Sequence, residues 1–193
     1  MPIPRIDDSP ARPRGAAPGG VALLDHRLFL PESWCEDTPA GRQRRAKVHV
    51  PESIDFQTKP QIAAAMIRQT VVLDQVRLDW ITADELYGRS GEFRDELEEL
   101  ELRYVVEVPV TTTVWTADPA ACIPAYGGRG RVPTLPSRES VREVRELAAS
   151  WEPFRWQRLC VGQGAKGPLV FEFAAVRAWA VRHGKAGPPC WLV

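Results

Sequence analysis

The sequence predicts an α/β fold. Three observations carry this reading. Between residues 21 and 110 the pattern runs strand, loop, helix, strand, helix, strand. Alternation of this kind indicates a sheet with crossover connections. Two helix starts have capping chemistry, at Thr58 and Ser90. Two apolar runs, Leu78 to Ile81 and Tyr104 to Val110, flank the second helix and have the composition of sheet strands.

Residues 1–20 are rich in Pro, Gly, Ala and Arg and lack either periodicity, which predicts a flexible leader. In VALLDHRLFLP (21–31), Leu24, His26, Leu28 and Leu30 fall on one face of a strand that Pro31 ends. The polar stretch 32–53 is read as irregular. Thr58 caps a helix with Pro60 in its first turn, and Ile62, Ala63, Met66 and Ile67 form its apolar stripe. The strand Arg77–Ala83 delivers Asp84 to its end, and Tyr87-Gly88 makes a turn. A helix over 91–101 buries Phe93, Leu97 and Leu100 and exposes Asp95, Glu96, Glu98 and Glu99. Tyr104–Val110 is expected to be a strand buried on both faces.

After Val110 the character changes. Residues 111–136 are rich in Thr, Pro and Gly, and a helix is predicted over 138–149, capped by Ser137 or by a Ser140/Glu143 box. Strands follow at Phe154–Val161 and Leu169–Val181, joined by a Gly-rich hairpin turn that holds Lys166. A turn from His183 to Pro189 leads into the strand-like Cys190-Trp191-Leu192-Val193. The abrupt apolar ending gives the expectation that a longer protein was cut there.

Composition narrows the function. Of 193 residues 44% are hydrophobic, the value of a folded globular chain. Twenty-five Lys plus Arg balance 25 Asp plus Glu, so no global positive field draws the chain to nucleic acid. DNA contact therefore requires local patches. Arg42, Arg44, Arg45 and Lys47 make the clearest basic cluster, against the alternative of a solvated loop. Lys166 in its turn and Trp115 past the core strand are further candidates, with an ordinary hairpin and core packing as alternatives. Cys35, Cys122, Cys160 and Cys190 lack zinc-ligand spacing and are expected to be free thiols in the cytoplasm. Neither a signal peptide nor a membrane span is expected.

Several segments together resemble one family. They are ALLDHRLFLPESW (22–34), RRAKVHVPESIDFQTKPQIAAAMI (44–67), DWITADELYGRSGEF (79–93), RYVVEVPVTTTVW (103–115) and WQRLCVGQGAKGP (156–168). The chain resembles the bacterial insertion-sequence transposases of the DDE superfamily, which have a ribonuclease H-like endonuclease core. The resemblance implies a partial core over 21–110 and part of a β-rich insertion over 111–193, truncated at both ends. It implies DNA, in particular transposon ends, as substrate, and paired Mg²⁺ ions held by three carboxylates. Asp84 matches the second of these, a catalytic and metal-ligating position. Glu85 points to the opposite side of the strand and is a poor substitute. Asp7 and Asp8 sit among prolines where the first acid belongs, and Glu172 does not match the glutamate-bearing helix of the third. One aspartate cannot assemble a two-ion site, so the chain is expected to be inactive alone. Two alternatives stand beside this: a non-catalytic inhibitor that binds DNA or full-length transposase, and an unrelated small α/β enzyme built around Asp84.

Overall fold

The computed structural model describes residues 22–193 apart from 52, 75, 135–140, 183 and 184. The expected leader and its Asp7 and Asp8, and the caps Ser137 and Ser140, lie outside the described residues. The fold is mixed α/β, as the alternation predicts.

Residues 22–31 do not form the expected strand. They have no ladder partner, Leu23, Leu24 and Leu28 stay exposed, and only Leu30 is buried. Period-two spacing satisfied the pattern, but Leu24 and Leu28 find no second apolar face to cover them. Helix α1 (Glu32–Cys35) and helix α2 (Pro39–Lys47) follow, the latter inside the stretch read as irregular. Thr38 caps α2 by accepting from Gly41 N–H at 3.0 Å, and Pro39 fixes its first turn. This is the same Thr–Pro grammar that announces helix α3 (Lys59–Leu73). There a capping box is closed: Gln61 N–H donates to Thr58 Oγ1 at 3.3 Å, and Thr58 N–H to Gln61 Oε1 at 2.9 Å.

Strand β1 (Ile81–Ala83) is the short end of the predicted strand. Helix α4 (Glu85–Gly88) makes the turn after Asp84. Helix α5 (Gly91–Glu99) is capped by Ser90, whose Oγ accepts from Phe93 N–H at 3.2 Å. It buries Phe93 and, completely, Leu97. Strand β2 (Tyr104–Val106) pairs parallel with β1, with Ala83 opposite Val106. The expectation of burial on both faces fails here. The sheet has only two strands, one face is uncovered, and Val105 is 61% exposed.

Strands β3 (Thr113–Trp115) and β4 (Val141–Glu143) pair antiparallel, and helix α6 (Val144–Ala149) follows at once. Among the described residues of the predicted helix over 138–149, only 144–149 are helical. Val144 and Arg145 donate to the carbonyls of Thr112 and Val110, and pairing with β3 holds 141–143 extended. Strands β5 (Gln157–Gly164) and β6 (Gly167–Phe173) form the expected hairpin. The apolar run 169–181 divides at Ala174-Ala175, and its second half is strand β7 (Val176–Arg182). Strand β8 (Lys185–Leu192) takes up most of the expected turn: Lys185, Ala186 and Pro189 pair with β7, and the register shifts between Ala186 and Pro189. Proline is tolerated because β8 is the edge of the sheet ordered β4-β3-β7-β8. Val114, Trp115, Ala178 and Ala180 form the buried centre of that sheet.

The four cysteines are free. Burial pushes the Cys190 thiol up, whereas Cys160 lies exposed on β5. Because the thiolate is the reacting form, Cys160 is expected to be labelled first and Cys190 last by an aromatic disulfide reagent at neutral pH. Mass mapping of a partial labelling course checks the order.

Candidate functional site

Asp84 follows β1 directly and stands at the carboxyl end of a parallel strand, where open α/β sheets place their ligands. Its side chain caps α4: Leu86 N–H donates to Oδ1 at 2.9 Å. Its carbonyl accepts from Gly88 N–H at 2.9 Å. Gly88 is buried because α4 folds back against the end of β2. A methyl group there would collide with the Glu107 carbonyl oxygen and would lie 3.1 Å from Val106 Cβ. Since Ala83 pairs with Val106, Asp84 and Glu107 emerge side by side from neighbouring strands, both exposed. Sequence reasoning passed over Glu107. Its signal was position: like Asp84, it is the first carboxylate after an apolar strand. Glu85 lies in α4 and is exposed, and Glu172 lies in β6 opposite Arg158.

A hard divalent ion needs several oxygen ligands at once. Among the described residues no group of three or more His, Cys, Asp or Glu is placed to hold a metal ion. Asp84 also spends one oxygen on its cap. The described residues therefore do not fit a paired-ion centre. Asp84 lines neither the 250 Å³ hollow between residues 27–30 and the start of α3 nor the 310 Å³ hollow between α3 and α5.

The basic cluster divides once folded. Arg42 pairs with Asp37, Arg44 stacks over Trp34 at 5.4 Å, and Lys47 is exposed in the last turn of α2. Arg45 is only 8% exposed and donates to the carbonyls of Pro51 and Ile54, so it fastens the following loop. Trp115, at 4% exposure, packs in the β3–β7 core, which was the alternative reading for this residue. Lys166 sits exposed in the two-residue tip of the β5–β6 hairpin and is not part of the α2 patch.

The densest polar constellation lies elsewhere. Arg182 of β7 reaches α5, where it forks onto Glu98 at 2.7 and 2.9 Å and also pairs with Asp95. Tyr104 O–H donates to Glu98 Oε1 at 2.6 Å. Burial, reinforced by that bond, pushes the Tyr104 phenol up to about 12. Burial also works against the charge of Arg182, but the bonds to Glu98 and the nearby carboxylates outweigh it and raise its pKa. Arg94 is pushed down by burial and by the charge of Arg182. The bonds from Arg182 to Glu98 and Asp95 join α5 to the second sheet.

A parallel strand pair with an acid at its carboxyl end, crossed over by a capped helix, is a strand–helix–strand unit of the kind that open α/β sheets build their sites on. The chain matches the family model described as DDE superfamily endonuclease over residues 15–168, most of its length, and it belongs to that family. The superfamily core is ribonuclease H-like, its substrate is DNA, and its members generally use divalent metals. No curated protein and no solved structure matches the chain. Among the described residues no helix is long and apolar enough to cross a membrane.

Proposed function

We propose that this chain is a DDE transposase fragment that retains the second metal-binding position, Asp84, and does not cut DNA by itself. Residues 21–110 are a partial nuclease core and 111–193 part of the β-rich insertion. The observation that carries the reading is Asp84 at the carboxyl end of β1, exposed and committed to a helix cap, with no third acid placed to complete a centre among the described residues. Family members draw their chemistry from Mg²⁺ and three carboxylates; among the described residues Asp84 stands without that set. The intact enzyme of this kind would cut and join transposon ends in the cytoplasm.

The test is plasmid nicking. The full chain with millimolar Mg²⁺ is expected to leave supercoiled DNA intact. Asp84→Ala is expected to change nothing in that assay while costing about 1 kcal/mol of stability through the lost cap. Mg²⁺-dependent nicking by the wild-type chain, abolished in Asp84→Ala, would overturn the proposal.

A second reading is binding without catalysis, to transposon ends or to full-length transposase. It is favoured by Arg42, Arg44 and Lys47, which remain on the solvent side of α2. Gel shift on end DNA against random competitor, with Arg44→Ala/Lys47→Ala as comparison, separates it. Loss of affinity in the variant with a shallower salt dependence supports the role. Equal retention of both proteins removes it.

A further inference from the structure

Strand β2 leaves one edge unpaired. Ile81 N–H donates to the Arg103 carbonyl at 2.9 Å, and Glu107 N–H donates to the Ala83 carbonyl at 3.0 Å. Residues 103, 105 and 107 therefore spend their backbone groups on β1. The intervening Tyr104 and Val106 direct their N–H and C=O groups the other way. Those groups have no backbone partner among the described residues. An unpaired strand edge is a template for another strand. The side chains beside it are exposed as well: Arg103, Val105 and Glu107 all lie on the uncovered face.

The charges on this edge are arranged symmetrically. Arg103 and Glu107 stand two residues to either side of Val105. We infer that β2 is a self-docking edge, at which a second copy of this chain pairs antiparallel about a two-fold axis through Val105. In that register Tyr104 exchanges both backbone hydrogen bonds with Val106 of the partner subunit. Arg103 then faces Glu107 of the partner subunit, and the symmetry repeats the pair. The two valines meet on the open face, and the two-stranded sheet extends to four strands. Charged side chains on an edge normally repel a second strand; placed with opposite signs at equal distance from the axis, they select one. Moving the axis to Tyr104 would set Glu101 against Glu107 of the partner subunit, a like-charge pair that disfavours the slip. In the single chain Arg103 lies over the Trp80 ring at 5.2 Å and 3.9 Å from Asp79, both solvent-facing, so it is held only at the surface and can turn to a partner.

The test is sedimentation velocity on the full chain up to about 200 µM. The wild-type chain is expected to dimerise. Arg103→Glu and Glu107→Arg each convert both cross-strand pairs to repulsion and are expected to weaken the dimer about tenfold. The double swap Arg103→Glu/Glu107→Arg is expected to restore it. An equimolar mixture of the two single variants is expected to form a heterodimer. On the wild-type protein alone, amide exchange at Tyr104 and Val106 is expected to slow as concentration rises. A monomer throughout the range, single swaps that sediment like wild type, or concentration-dependent protection away from β2 would each overturn the inference.

Discussion

Gly88→Ala is expected to destabilise the protein by about 2 kcal/mol, although helix propensity argues for the opposite sign. Gly88 closes α4. In an open helical position alanine would stabilise by about 1 kcal/mol. Here the added methyl meets backbone, the Glu107 carbonyl, with Val106 Cβ at 3.1 Å behind it. Backbone cannot rotate away as a side-chain tip would, so α4 must lift off the end of β2. Overpacking of this kind costs about 3 kcal/mol, which outweighs the propensity gain. Urea midpoints of the variant and of Gly127→Ala supply the measurement. Gly127 has open space around it, so its variant is expected to stay near wild type. If Gly88→Ala matches that control, α4 does not approach β2 closely, and the placement of Asp84 beside Glu107 loses its support.

That contact also marks how far the sequence could be read. Tyr87-Gly88 was legible as a turn after a strand-end acid, because glycine and an apolar run are local signals. What the glycine touches, nineteen residues further on at Glu107, is a tertiary fact with no local trace. The same division runs through the chain. Thr58 and Ser90 announced α3 and α5 because caps are satisfied within one turn. Thr38-Pro39 carried the same message and was outweighed by the polar, arginine-rich composition of α2. The 22–31 segment failed in the other direction: its alternation was good, but a strand exists only if another edge pairs with it. For the site, Asp84 could be placed from sequence at a strand end. The burial of Arg45 and Trp115 could not be read from sequence, since an arginine that ties a loop and one that stands free in solvent look identical there. The Arg182 constellation left no sequence signal, because its members come from residues 94–104 and from β7 and meet only after the β-rich segment folds back.

Arg182→Ala is expected to cost about 3 kcal/mol and to loosen the second sheet from α5. The Arg182 side chain is 8% exposed and holds Glu98 through two parallel bonds, with Asp95 beside it. Removing one partner of a buried pair leaves the other charge uncompensated, at a cost of about 3–5 kcal/mol. Asp95 and Glu98 keep some access to water, which places the expectation at the lower end. Arg182→Lys retains the charge without the fork and is expected to recover about half of the loss. Tyr104 gives an independent readout. Its folded pKa of about 12 lies above the ordinary value of 10.0, so the folded state is favoured while the phenol is protonated. That contribution is complete below about pH 10 and is lost as the pH rises toward 12. Tyr104 is therefore expected to lower the unfolding free energy of the wild-type chain by about 2 kcal/mol across that window, and the fall should shrink by that amount in Tyr104→Phe. Absorbance titration of the chain's three tyrosines should show one late step that Tyr104→Phe removes. A chain whose tyrosines all titrate together near 10, or whose stability is untouched by Arg182→Ala, would mean that β7 does not dock on α5 through this network.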